Sequence, residues 1–337
     1  MSLLSKKNVA ILLSGLMLTA VVSGCGGDKK DEKKDAKPIV LKLAENQPDD
    51  YPTTIGDKEF AKIVSEKTKG RIKIEVYAGG QLGDEKSVIE AIQMGGIDLA
   101  RVNAQPLSDF SKKLRVLSLP YLFRDEAHLW KTLDGQVGEE LLTSLKDSKM
   151  IGLAYYDSGA RSFYNSKREV KVPDDMKGLK IRVQQSELMM DLVKSLGASP
   201  TPMAYGEVYS GLQTGVIDGA ENNWPSYFST SHYEVAKNYT LDYHTRTPEV
   251  VIASKAVWDK LSAEDQKILK EAAKASQEVQ KKSWKAYEKK SIDAVKAKGN
   301  KVTEVTDYKA WQDAVKPMLE KHGKDFKELI EKINNIK

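Results

Sequence analysis

From residue 39 onward, apolar and polar positions follow two periods that take turns along the chain. Residues 39–46 (IVLKLAEN), 71–79 (RIKIEVYAG) and 97–103 (IDLARVN) keep the period of two that a strand requires. Between them, 53–70 (TTIGDKEFAKIVSEKTKG) carries apolar residues at helical spacing and stops at Gly70, and 87–94 (SVIEAIQM) reads as a short amphipathic helix. Strands alternating with helices predict an α/β chain of βα units. In 178–185 (GLKIRVQQ), Leu179, Ile181 and Val183 share one face of a half-buried strand, and Lys180, Arg182 and Gln184 share the other. An arginine on a strand's open face is ordinarily in water. Arg182 is therefore either solvated or aimed at a partner.

The pattern also repeats. Residues 88–98 (VIEAIQMGGID) and 208–218 (VYSGLQTGVID) share Val, Gln, Gly, Ile and Asp at equal offsets, with Ile92 matched by Leu212. Both helices would end near a glycine, Gly95 or Gly215, suited to a left-handed stop, before a strand begins. Two related lobes are expected, each holding one copy. Further on, Ser262 and Asp265 form a helix start, and no Gly or Pro interrupts residues 263–298. Ile268, Leu269, Ala272, Ala275, Val279, Trp284, Tyr287, Ile292 and Val295 keep a helical stripe. Such a helix is about 54 Å long, more than one lobe's breadth, so it should span both. A coiled-coil dimer helix is the alternative, but the stripe drifts from a strict heptad. The expected division is 38–159 plus 248–287 for the first lobe and 160–247 plus 288–337 for the second, with a ligand cleft between them.

The N-terminus differs in kind. Lys6 and Lys7 precede the run VAILLSGLMLTAVV, and Ser23-Gly24-Cys25 follows. This is the layout of a signal peptide over residues 1–24. Cys25 is the only cysteine in the sequence, and its setting resembles a bacterial lipobox, in which that thiol is acylated. Residues 26–37 (GGDKKDEKKDAK) contain nothing to bury and read as a flexible tether. The mature protein would sit outside the cytoplasmic membrane, lipid-anchored without spanning it.

Composition narrows the function further. The chain has 337 residues, enough for about two domains. Its formal charge of +5, or +3 without Lys6 and Lys7, is interspersed and offers no nucleic-acid surface. The four histidines are not spaced as metal ligands, no nucleophile elbow or phosphate loop occurs, and no thiol remains beyond Cys25. We expect no enzyme, no metal, no cofactor and a monomer. Plentiful carboxylates leave an exported hydrolase as the outlying alternative.

Polar signals instead converge on recognition. The runs DDMKGLKIRVQQSE (174–187) and GASPTPMAYGEVYSGLQTGVIDGAENN (197–223) resemble the extracytoplasmic solute-binding subunits of TRAP transporters, the DctP family. So do GGQLGDEKSVIEAIQMGGIDLA (79–100) and VLSLPYLF (116–123), and the resemblance spans roughly residues 41–299. It implies two α/β lobes that close on a carboxylate ligand and deliver it to a membrane permease. It implies that Arg182 forms the salt bridge to that carboxylate, with Arg161 and Asn222 as companions. The first-lobe wall would come from Asn46, Glu85 and Asn103, and Tyr205 would line the pocket. Arg101 shares strand parity with Asn103 and is a further candidate. AENQPDDYPTT, LARVN, RSFYN and AENNWPSY resemble the branch that binds hexuronates such as glucuronate and galacturonate. Sialic acid and C4-dicarboxylates are the rival ligands, and a ligand-presenting sensor subunit is the rival role.

Overall fold

The period-two segments become strands of two separate sheets. In the computed structural model, which describes residues 38–337, β1 (Ile39–Ala44), β2 (Ile72–Tyr77), β3 (Leu99–Asn103), β4 (Met150–Tyr156) and β10 (Glu249–Ser254) form a sheet ordered β2-β1-β3-β10-β4. The second sheet holds β5 (Ser162–Asn165), β6 (Lys180–Val183), β7 (Ser199–Pro202), β8 (Gly219–Asn222), β9 (Asn238–Leu241) and β11 (Lys301–Glu304), ordered β11-β9-β5-β8-β6-β7. The leader, Cys25 and the tether lie outside the described residues.

Both sheets follow one plan. In the first, β1 pairs in parallel with β2 and β3, and β10 then runs antiparallel between β3 and β4. In the second, β6 pairs in parallel with β7 and β8, and β5 runs antiparallel between β8 and β9. Each lobe receives its antiparallel strand from chain that has just left the other lobe. The two crossings, between β4 and β5 and between β9 and β10, touch each other. Arg161 N–H donates to the Thr245 carbonyl at 2.8 Å, and Ser158 Oγ donates to the Thr247 carbonyl.

The repeated segments occupy matching places in this plan. Helix Glu85–Met94 stops at Gly95 with φ +79°, and helix Val208–Thr214 stops at Gly215 with φ +76°. A side chain would be strained at either φ. The shared aspartates do the same work: Asp98 Oδ2 accepts from Lys42 N–H at 2.7 Å, and Asp218 Oδ2 from Lys180 N–H at 2.9 Å. Each thereby ties the chain just before its own strand, β3 or β8, to the neighbouring parallel strand. At the other end, Asn103 and Asn223 each cap the helix that follows, their Oδ1 accepting from Gln105 N–H and Ser226 N–H.

The long helix runs Ala263–Ala297, 35 residues, capped by Ser262 Oγ accepting from Asp265 N–H at 3.1 Å. At 1.5 Å per residue it is about 52 Å long. It packs on helix Pro52–Lys67 and β4 in the first lobe and on helix Trp224–Ser229 in the second. Its buried stripe is small where it meets the first lobe, with Ala272, Ala273 and Ser276 all fully buried, and Val279, placed by spacing in the stripe, is 37% exposed. Close approach explains the small residues: a Cβ on Gly56 would lie 2.9 Å from the Gln280 Cβ and from the Tyr156 ring. Gln280 also clamps the first crossing, accepting from Asp157 N–H at 2.7 Å and donating to its carbonyl at 2.8 Å.

Residues 288–337, expected together in the second lobe, divide. β11 joins the second sheet, and helix Tyr308–Gly323 packs on helix Glu187–Ser195 there. The last helix, Lys327–Asn334, turns back to the first lobe, where the Ile333 carbonyl meets the buried His128 Nε2 at 2.9 Å and Arg124 and Lys131 hold the Asn334 and Lys337 carbonyls.

Candidate functional site

Three arginines converge between the two sheets, near the ends of β3, β5 and β6, and each is 2–3% exposed. Burying a guanidinium is costly unless it is paired. The three differ in how that cost is met.

Arg101 is saturated. Its Nε donates to Glu45 Oε2 at 2.9 Å and its Nη1 to Glu249 Oε2 at 2.8 Å, while Nη2 reaches Glu45 Oε1 and Asn46 Oδ1. Arg161 is saturated too. It grips Glu221 through Nε at 2.6 Å and Nη2 at 2.8 Å, and Nη1 donates to Asn222 Oδ1 at 2.9 Å. Burial works against the Arg161 charge, but Glu221 outweighs it and raises the pKa above the ordinary arginine value. These pairs occupy equivalent places with the charges exchanged. Arg101 and Glu221 each lie three residues after the shared Asp98 or Asp218. Glu249 pairs with Asn103 in the ladder, and the register of β5 on β8 places Arg161 opposite Asn223.

Arg182 has no such partner. Nε and Nη2 both donate to the Met203 carbonyl, at 3.0 and 2.7 Å, and among the described residues Nη1 has no hydrogen bond and no carboxylate lies within ion-pair distance. Burial lowers its pKa despite the charge of Glu221 nearby. The polar face of the 178–185 strand is therefore not solvated at Arg182. It is covered by the chain after β7 and by the first lobe.

Arg182 lines a cleft cavity of about 270 Å³, together with Asn46, Glu85, Gln184, Met203, Tyr205 and the glycines Gly79, Gly80, Gly83 and Gly206. Behind it is a second pocket of about 20 Å³, which is room for about one water. All seven residues expected at the site, Asn46, Glu85, Asn103, Arg161, Arg182, Tyr205 and Asn222, border this inner pocket, as does Arg101. Arg182, Asn46, Glu85, Gln184 and Tyr205 border both spaces. Hydrogen bonds cross from lobe to lobe here: Gln184 Nε2 to Glu85 Oε2 at 3.2 Å, Tyr205 Oη to Gln47 Oε1 at 3.3 Å, and Tyr51 Oη with Ser226 Oγ at 2.9 Å. The lobes are closed on each other.

The expected residues divide by what their polar atoms are free to do. Both ends of the Asn103 side chain are spent, Oδ1 on its helix cap and Nδ2 on Glu249 at 2.8 Å. Arg101 and Arg161 are spent on carboxylates. Asn222 Oδ1 accepts from Arg161 and from Asn223 N–H, which leaves its Nδ2 as a donor. Glu85 accepts from Asn103 N–H at 2.9 Å and from Gln184. Burial, with the nearby Glu249, pushes its pKa up to about 7. Burial likewise raises the Tyr205 phenol.

Sequence reading did not pick out the carboxylates and the histidine behind these residues. Glu221 holds Arg161 and meets His244 Nε2 at 3.3 Å, and His244 Nδ1 meets Asp242 Oδ2 at 2.7 Å. Burial alone would lower the imidazole, but Asp242 and Glu221 raise it to about 9, so both ring nitrogens donate at neutral pH. Burial alone would raise Glu221, but the Arg161 charge and the His244 hydrogen bond bring it down to about 2. Gln47, Gln184 and Glu249 also border the inner pocket. The repeat carried one usable signal, since it aligns Glu221 with Arg101. Trp224 stacks on Tyr239 with ring centroids 4.0 Å apart and belongs to the second-lobe core. Glu187, Asp191 and His322 converge on an outer face, where Lys321 Nζ already sits 2.6 Å from Asp191.

Residues 43–325 match the family model for the bacterial extracellular solute-binding protein, family 7, DctP. The chain is 39% identical over 289 residues to a solute-binding protein of Chromohalobacter salexigens, covering 86% of each chain. It is 37% identical over 261 residues to the 2,3-diketo-L-gulonate-binding periplasmic protein YiaO of Escherichia coli, covering 77% of this chain and 80% of that one. Among solved structures it is similar to a TRAP periplasmic solute-binding protein of a Bradyrhizobium species in complex with galacturonate, at 45% identity and a TM-score of 0.86, covering 88% of this chain and 99% of that one. A TRAP periplasmic solute-binding protein of Pseudomonas putida F1 with bound D-glucuronate is similar at 36% identity and a TM-score of 0.87, covering 89% and 98%. With its family model matched over most of its length and the lobes, cleft and bridging helix in place, this chain belongs to the DctP family of extracytoplasmic solute-binding proteins of TRAP transporters.

Proposed function

We propose that this protein captures a hexuronate, galacturonate or glucuronate, outside the cytoplasmic membrane and hands it unchanged to the membrane permease of a TRAP system. Acylated Cys25 and the tether behind it would hold the protein at the membrane surface. The observation that carries the reading is the Arg182 guanidinium, buried, facing the cavity and without a carboxylate, while Arg101 and Arg161 are both paired. A ligand carboxylate supplies the missing counter-ion. Nη1 of Arg182 and Nδ2 of Asn222 are donors left over for it, and Asn46, Gln184 and Glu85 offer hydrogen-bonding partners for sugar hydroxyls. The ligands in similar solved structures point the same way.

The test is calorimetry with galacturonate and glucuronate on the wild type and Arg182→Ala. A charge-assisted hydrogen bond contributes about 1.5–3 kcal/mol, so the variant should lose roughly 10- to 150-fold in affinity. Unchanged uronate binding by the folded variant would refute the clamp. Failure of the wild type to bind either uronate would refute the ligand.

A further inference from the structure

Around the cavity only one described guanidinium is uncommitted, which makes a site for one negative charge. Among the described residues Arg182 is the single cation lining the larger space, where Asp84, Glu85 and Glu207 supply acidic side chains. The inner pocket brings two more arginines, but each is already committed, Arg101 to Glu45 and Glu249 and Arg161 to Glu221. One ligand carboxylate can be neutralised here. A second would find no free guanidinium and would face the three acidic side chains.

We propose that the site selects uronates against aldarates, the sugar diacids of the same size and hydroxyl pattern, and that Glu85 is the residue that sets this preference. The inference rests on the uronate reading above. A hexuronate and its aldarate differ in oxidation state only at C1, an aldehyde that closes on a chain hydroxyl as a cyclic hemiacetal in one and a carboxylate on an open chain in the other. The hemiacetal hydroxyl can donate to a carboxylate of the protein, whereas an added carboxylate is repelled by it. Glu85 holds the decisive position because it alone of the three borders both the inner pocket and the larger space.

Several charged groups face Glu85. Glu249 on β10 disfavours its charge, and Arg182 on β6 favours it. Arg101 on β3 lies 3.5 Å away, and Arg101 in turn holds Glu45 of the β1 end. Asp84 caps the helix that Glu85 begins, and Glu207 stands on the opposite lobe. With its pKa near 7, Glu85 passes between its acid and its carboxylate in the range where a binding assay is easily run. The discrimination should therefore be stronger at pH 8 than at pH 5.5, while both carboxylates of an aldarate remain ionised.

The experiment is calorimetry with galacturonate and galactarate at pH 5.5 and pH 8, on wild type and Glu85→Gln. Wild type should prefer galacturonate by about 100-fold or more at pH 8, since like charges brought together cost several kcal/mol. That ratio should narrow at pH 5.5, and Glu85→Gln should narrow it about tenfold at pH 8 and remove its pH dependence. Equal binding of both sugars by wild type would overturn the inference and leave the uronate reading standing. Binding of neither would overturn the uronate reading itself. A wild-type preference that Glu85→Gln leaves intact at both pH values would overturn the assignment to Glu85.

Discussion

Replacing Glu221 by Gln tests whether charge pairing behind the cleft holds the second lobe together. The carboxylate is fully buried and accepts on both oxygens, from Arg161 Nη2 on Oε1 and from Arg161 Nε and protonated His244 Nε2 on Oε2. An amide has one acceptor oxygen. Whichever way it turns, its NH₂ group faces a donor, and the buried Arg161 charge loses its counter-ion while His244 keeps only Asp242. Removing one partner of a buried pair costs about 3–5 kcal/mol. For a folded region of about 300 residues the unfolding entropy is roughly 0.6 kcal/mol per degree, so the melting temperature should fall by about 5–8 °C. Thermal denaturation followed by circular dichroism at pH 7 measures it. A second variant separates lost pairing from lost volume: Arg161→Met with Glu221→Met removes both charges and should recover much of the loss, because a buried pair replaced by apolar side chains of similar size is often near neutral. If Glu221→Gln melted within a degree of the wild type, the buried network would not be holding the lobe.

Two further perturbations address other parts of the fold. Gly56→Ala should destabilise by about 1–3 kcal/mol through overpacking, because its Cβ would stand 2.9 Å from both Gln280 and Tyr156 where the long helix crosses the first lobe; a melting temperature equal to that of the wild type would show that the crossing has slack. His244, raised from 6.5 to about 9, gives a stabilisation that is complete below pH 6.5 and is lost as pH rises through 9. His244→Gln should therefore flatten the alkaline limb of a melting-temperature series between pH 6.5 and 9, and an unchanged limb would place the proton elsewhere.

What the sequence made legible was whatever repeats locally. Alternation in 39–46 and 178–185 became β1 and β6, and the shared Gly and Asp of the two 11-residue segments became matching helix stops and strand anchors. Spacing alone showed that one helix was longer than a lobe. The burial of Arg182 was not legible from its own strand, because the cover comes from Met203, twenty-one residues on, and from the opposite lobe. Nor could spacing foresee that the last helix returns to the first lobe. The three arginines show the limit most directly. Each sits at or next to a strand and each is buried to the same degree, so neither period nor burial separates them. They are separated by carboxylates 56, 60 and 148 residues away in sequence, which reach Arg101 and Arg161 and leave Arg182 unpaired. A duplicated lobe accounts for the way this came about. Equivalent positions carry Arg101 with Glu249 in one copy and Glu221 with Arg161 in the other, so both lobes neutralise themselves by the same contact with the charges reversed. Arg182 lies on β6, whose counterpart β1 places Ala44 at the matching offset from its anchored lysine, Lys42 against Lys180. With no acid at the equivalent point of the facing lobe to meet it, that guanidinium is the one of the three buried arginines, among the described residues, left for a ligand to balance.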